Sequence, residues 1–387
     1  MNQKNLLSEY VCEFLKTFRK VLSKPQIAHF EQIIKGTLFS DLKSINSYSK
    51  SSNKDQSSLN RFMNSKAVNN FEINQVLINQ INSKLDLDKE KDFIFDDTIK
   101  HHKFAEKIYG LGRHHDHLNG GFSNGHSLVT AGIKQEEYFY PTNCELYQNQ
   151  SEMSEISGFK TKIEIALALL DQWLDKVDNV LMDSWYSSQE ILEMVVRKEK
   201  FFFTMLKKNR NFKENHKTKR QLQEYQKYIN PKDYEIIFVN GQYHSVYEKI
   251  GYLPKVGKVK ILFTKFYDPI IKKSKELHYL CTNNINLSAK QILLKYKDRW
   301  PIETFHKDIK QNLGFEKCIL RKKIGIERHF LIQFIVHNIL VFSKRKQTSC
   351  GQIQRELKYS HIETTLQNYG LKNYNLEACK KELMILC

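Results

Sequence analysis

The chain has 387 residues, 41% of them hydrophobic and 12% aromatic, which is enough for two or three domains with buried cores and excludes wholesale disorder. Lys and Arg number 61 against 43 Asp and Glu, and the resulting charge of +18 favours a polyanionic partner, most simply nucleic acid, over a basic but otherwise ordinary enzyme. The seven cysteines are odd in number, scattered and never in a C-x-x-C pair, so the expectation is reduced thiols in a soluble cytoplasmic protein with no zinc finger, no leader and no membrane span.

Residues 5 to about 84 carry apolar positions at three- and four-residue spacing, as in Leu6, Tyr10, Phe14 and Leu15, and read as helices. The polar run "SKSSNKDQSS" (49–58) reads as a turn. The following "SSLNRFMNS" reads as a short helix, either of a helix-turn-helix-like unit or of a plain bundle. After the charged connector "DLDKEKD" (86–92) the pattern changes: "FIFDDT", "GHSLVTAGI" and "EYFYPTNCELY" are strand-like in β-branched and aromatic content. An amphipathic helix is expected over "TKIEIALALLDQWLDKV" (161–177), then a short strand in "NVLMDSWYSS" (179–188) that ends at Asp183. This order belongs to an α/β domain with a mixed sheet.

Two more strands, "FFFTML" (201–206) and "HYLCTN" (278–283), flank a stretch of different character. It opens with the basic segment "KKNRNFKENHKTKR" (207–220), a solvated or phosphate-touching loop, and continues as "EIIFVNGQYHSVYEKIGYL" and "VKILFTKFY", a small β insertion. In "KYKDRWPIETFHKDIKQNLGF" (295–315), Pro301 removes a backbone donor and suits a first helical turn. One helix is therefore expected from about Ser288 to Asp298 and a second from Pro301. Further on, "LRKKIGIERH" (320–329) offers phosphate-binding charge and "FLIQFIVHNILVF" reads as a core helix.

The candidate chemistry lies in carboxylates. Asp96 and Asp97 end one apolar strand and Asp183 ends another, and side chains alternate along a strand, so one of Asp96 and Asp97 is expected to face a shared site. Aspartates at such points are also ordinary turn residues. Glu303 adds a third carboxylate from a helix in a basic neighbourhood, and Lys310 follows two turns later on the same helical face. Two Asp and one Glu make an oxygen-donor set for Mg²⁺ or Mn²⁺, probed most naturally by phosphodiester chemistry. The histidines of "RHHDHLNGGFSNGH" (113–126), with His101 and His102, lack a ligand spacing and read as a flexible Gly-rich loop, and no phosphate-cradling Gly-rich motif is present.

Tyr296, Arg299, Glu303 and Lys310 meet in full the Tyr-Arg-Glu-Lys spacing, and with "RWPIETFHKDIKQNLGFEK" around them the segment resembles DDE transposases of the insertion sequence 4 superfamily. "DDT" (96–98) is similar to that family's first catalytic stretch, where the resemblance selects Asp97, and "LMDSWYSS" is similar to the second, giving Asp183. Pro301 departs from the family's usual residue, and no insertion-domain tryptophan aligns. The resemblance covers roughly residues 93–345. It implies an α/β fold with an RNase H-like catalytic core (93–345) carrying a mixed sheet and a β-rich insertion (about 207–275). Before it would come an all-helical, DNA-end-binding domain (1–92), and after it a helical segment (346–387) suited to dimerisation. It further implies that Asp97, Asp183 and Glu303 bind two Mg²⁺ or Mn²⁺ ions, that Tyr296, Arg299 and Lys310 hold DNA phosphates, and that a homodimer engages terminal inverted repeats and target DNA. Two rivals share the fold: a silent DNA-binding descendant, and a nuclease that hydrolyses without joining.

Overall fold

The computed structural model describes residues 11–50, 54–102, 105, 107–116, 120–150, 158–215, 218–268, 273–274, 276–344 and 348–368. Contacts divide the chain into two compact units, one formed by residues 1–80 with 307–387 and the other by Ile81–His306.

The first unit is helical. It contains α1 (Lys24–Phe39), α2 (Ile45–Lys50), α3 (Gln56–Asn64) and most of α4 (Asn70–Asn82), and, after the sheet-bearing segment, α10 (Lys323–Phe342) and α11 (Cys350–Asn368). Local signals start these helices: Ser23 and Gln26 form a capping box with Pro25 in the first turn of α1, and Asp55 caps α3 by accepting from Ser58 N at 2.9 Å. Helix α10 is long and apolar enough to cross a membrane by length and composition, yet 83% of that window is buried among its neighbours, as befits the core helix expected from "FLIQFIVHNILVF". Its charge is turned inward. Arg328 is fully buried, and donates to the carbonyls of Phe62, Met63, Ser65 and Val68 and to Asn70 Oδ1, satisfying the connection between α3 and α4. Arg328 is thus committed to packing instead of the phosphate binding expected of its segment.

The second unit is built on one mixed sheet. Its strands are β1 (Asp92–His101), β2 (Gly112–Asp116), β3 (Gly121–Gln135), β4 (Tyr138–Tyr147), β5 (Asn179–Met182), β6 (Phe201–Leu206), β7 (Asn211–Lys213), β8 (Lys219–Gln221), β9 (Glu235–Val239), β10 (Gln242–Leu253), β11 (Gly257–Asp268), β12 (Lys273–Ser274) and β13 (His278–Thr282). The main path runs β2-β3-β1-β5-β6-β13-β11-β10-β7-β8, with β4 also on β3. β1, β5 and β6 are parallel to one another, while β3 runs antiparallel beside β1 and β4 antiparallel beside β3. Helix α5 (Lys162–Asp171) connects β4 to β5 and α6 (Gln189–Arg197) connects β5 to β6. Three antiparallel strands followed by two parallel ones, with helical crossovers, is the RNase H-like arrangement expected from the sequence. The central strands are apolar on both faces: Phe93, Ile94, Phe95, Val180, Leu181 and Met182 are all fully buried, which is why they read as continuous runs instead of alternating ones.

Between β6 and β13 the chain inserts β7 to β12 and the short α7 (Leu222–Tyr225), and β11 pairs with β13 so that the insertion prolongs the sheet. Its β9–β10 hairpin turns through Asn240 and Gly241, both at positive φ, the backbone state that an Asn-Gly pair adopts at least cost. The segment 207–220 is partly ordered as β7 and β8 instead of forming a plain loop. Residues 113–126 differ more from expectation. β2 and β3 pair there as a hairpin, with His114 and His126 buried, so most of this stretch is sheet; His117 lies outside the described residues. The backbone groups of β2 and β3 satisfy each other across the ladder, which a count of glycines and histidines does not reveal.

Helix α5 ends at Asp171, earlier than expected, because Trp173 turns into the core with its Nε1 donating to Asn143 Oδ1 at 3.3 Å and the chain tightens into a 3₁₀ turn. The break at Pro301 falls where expected: α8 (Ala289–Lys297) starts from a Ser288–Gln291 capping box and α9 (Pro301–Gln311) begins at the proline.

Candidate active site

Asp96 and Asp183 meet because of strand register. β1 and β5 run parallel with Phe93 opposite Val180 and Ile94 opposite Leu181. Continued by two residues, that register sets Asp96 level with Asp183, just past the end of β5, and paired residues on neighbouring parallel strands project from the same face. Asp97 alternates away along the strand, although its charge still acts on Asp183 and Tyr186 touches both acids.

The three acids differ in their polar contacts. Asp96 Oδ2 accepts from Arg299 Nη1 at 3.3 Å, and the other arm of the same guanidinium pairs with Glu303 one helical turn further on. Asp183 Oδ1 accepts from the backbone N–H of Trp185 at 2.9 Å and of Tyr186 at 3.1 Å, which fixes its carboxylate. Asp97 instead pairs with Lys162 at the start of α5, Oδ2 to Nζ at 2.6 Å, and lies 3.4 Å from the Tyr186 hydroxyl. Burial, and next the charge of Asp183, push the Asp96 carboxyl up to about 7, while Asp183 is raised chiefly by burial. Two acids withdrawn from water, one feeling the charge of the other, favour a proton or a cation nearby, and with Glu303 joined to Asp96 through Arg299 the three carboxylates offer the hard oxygen donors that Mg²⁺ or Mn²⁺ prefers.

The α8–α9 junction carries the rest of the predicted set. Tyr296 is pushed up to about 12 by burial and stays a neutral phenol beside Arg299, whose guanidinium carbon sits 5.8 Å from its ring centroid. Lys310 lies on α9 two turns beyond Glu303, past the His306–Lys307 boundary and so within the helical unit. Lys295, the basic residue just before the motif, bonds Asp92 at 2.6 Å and Glu90 at 2.9 Å; it anchors α8 to the start of β1 and is not a phosphate-holding neighbour of Glu303.

Several residues at the site escaped sequence reasoning. Thr130 on β3 donates to the Asp96 carbonyl at 3.1 Å and accepts from His306 Nε2 at 2.7 Å, which fastens α9 to the strand that carries Asp96. Lys162 sits 5.4 Å from the Trp185 ring centroid as well as on Asp97. Partners of this kind join distant segments and leave no local spacing to read. A cleft of about 680 Å³ opens beside Asp183, lined by Ser184, Trp185, Ser188, Lys207, Arg210 and Lys219, so part of the basic 207–220 segment faces the site's surroundings. Trp185 and Trp300 are partly exposed, at 41% and 62%, whereas Trp173 is buried.

Two protein-family models match the chain: the DDE superfamily endonuclease model over residues 20–227, more than half its length, and the transposase DDE domain model over residues 156–339. No curated protein gives a significant match.

Proposed function

This chain belongs to the DDE superfamily of endonucleases, and on that premise we propose that it is the transposase of an insertion sequence of the insertion sequence 4 type, cutting phosphodiester bonds at element ends and joining the freed 3′-hydroxyl to target DNA. The observation that carries this reading is the parallel register of β1 and β5, which continued by two residues brings Asp96 level with Asp183, with Arg299 linking Asp96 to Glu303.

Enzymes of this superfamily generally use divalent metals. We assign Asp96, Asp183 and Glu303 as the ligands, for two ions of Mg²⁺ or Mn²⁺. The geometry favours Asp96 for the place that the sequence resemblance gave to Asp97, because strand register aligns Asp96 with Asp183 while Asp97 is engaged by Lys162. Divalent ions on such oxygens polarise the scissile phosphate and activate a water or a 3′-hydroxyl.

The chain's own groups do the positioning. Arg299 carries fixed positive charge between two of the carboxylates, and a bidentate guanidinium is suited to take up a phosphate oxygen when DNA arrives. Neutral Tyr296 offers a hydroxyl donor at the same junction, and Lys310 offers an ammonium along α9. Lys207, Arg210 and Lys219 in the cleft beside Asp183 supply sequence-independent phosphate contacts, with Trp185 as a stacking surface for an unpaired base. A homodimer bridging the two element ends completes the proposal.

The test uses full-length protein, Mg²⁺ and DNA spanning the boundaries of its coding region. The expected result is cutting at the element ends and joining of pre-cut 3′-hydroxyl ends to a target duplex. Binding without cutting would identify a silent DNA-binding protein, and cutting without joining a nuclease; either outcome would overturn the assignment as transposase.

A further inference from the structure

Within the helical unit, three helices bring together side chains that the nuclease chemistry does not use. Asp308 on α9, His337 on α10 and Cys350 at the start of α11 place their donor atoms within 4.8 Å of one another. His337 is 3% exposed and Cys350 9%, so both are withdrawn from water, and His337 is embedded in a helix that is otherwise largely apolar.

The arrangement converges on one atom. His337 Nε2 lies 3.6 Å from Asp308 Oδ2 and 3.7 Å from Cys350 Sγ. In a Cys-His-Asp catalytic relay the carboxylate and the sulfur occupy opposite ring nitrogens, because one nitrogen must hold a proton for the acid while the other takes one from the thiol. Here both approach the same nitrogen, which rules out that relay. The 3.6 Å separation also exceeds a good N–H···O hydrogen bond. Tetrahedral zinc, with bonds of about 2.0–2.1 Å to nitrogen or oxygen and about 2.3 Å to sulfur, sets its ligand atoms roughly 3.3–3.6 Å apart, close to what is found. Asn312 Nδ2 donates to the other Asp308 oxygen at 3.3 Å, the kind of outer contact that orients a ligating carboxylate.

We propose that Asp308, His337 and Cys350 form a Zn²⁺ site that ties α9, α10 and α11 together. Thiolate, imidazole and carboxylate in one largely buried cluster select zinc over Mg²⁺, which prefers an all-oxygen shell. Cys350 binds as the thiolate and releases its proton to solvent on metal entry, and His337 binds as the neutral imidazole. Three protein donors leave one coordination position for water.

The experiment uses the full chain stripped with chelator and titrated with Co²⁺ as a spectroscopic stand-in for zinc. The expected result is a thiolate-to-cobalt charge-transfer absorption in the near ultraviolet that saturates at one equivalent, is displaced by Zn²⁺, and persists in Asp183→Asn. It should vanish in Cys350→Ser. As a measurement independent of any variant, native chain dialysed against trace Zn²⁺ should retain close to one zinc by elemental analysis. Absence of the band in the wild type, its persistence in Cys350→Ser, or retention of no zinc would each overturn the site.

Discussion

Asparagine at Asp96 or Asp183, or glutamine at Glu303, is expected to reduce metal-dependent DNA cleavage by roughly 10³-fold or more. Losing one carboxylate from a set that holds divalent cations removes several kcal/mol of transition-state stabilisation, and each ~1.4 kcal/mol is a factor of ten. Asp97→Asn is expected to cost about tenfold or less, since that side chain pairs with Lys162. Single-turnover cleavage of end DNA, with circular dichroism to verify folding, separates the cases. Near-normal cleavage by Asp96→Asn together with dead Asp97→Asn would return the ligand role to Asp97.

The second large effect concerns stability. Arg328→Met should destabilise the protein by about 3 kcal/mol or more, because it keeps the apolar stem but leaves four carbonyls that Arg328 now satisfies, three of them in buried bonds, without a donor. Burial lowers the guanidinium only to about 10, so it is charged at neutral pH and its loss also removes charge-assisted bonds. For a unit of this size that corresponds to a fall in melting temperature of roughly 6–12 °C. Arg328→Lys should fail to rescue it, since one ammonium cannot span carbonyls on both sides of the α3–α4 connection. A melting temperature within a degree or two of wild type would contradict this role.

The strands "FFFTML" and "HYLCTN" and the helix break at Pro301 were legible because their causes are local: apolar runs bounded by turns, a capping box, a proline without an N–H. Glu303 stood out because it completes the Tyr-Arg-Glu-Lys spacing, which neither of its acidic neighbours Asp298 and Asp308 does. The choice between Asp96 and Asp97 was not legible, since adjacent residues of one strand differ only in the face they present, and that depends on the register with β5. The inward turn of Arg328 was hidden for the same reason. Its acceptors lie more than 250 residues earlier, and nothing in "KKIGIERH" signals that this one cation turns inward. The Asp308, His337 and Cys350 cluster has no ligand spacing at all, because its members are gathered by the packing of three helices.

The most direct test of the central claim is Mn²⁺ binding, read by electron paramagnetic resonance as the loss of free-ion signal, with uncleavable end DNA present and the wild type compared with Asp96→Asn, Asp97→Asn and Asp183→Asn. The expected result is that binding is lost in Asp96→Asn and Asp183→Asn and retained in Asp97→Asn. Wild-type affinity in Asp96→Asn or Asp183→Asn would contradict the assignment of these carboxylates as the metal-holding pair.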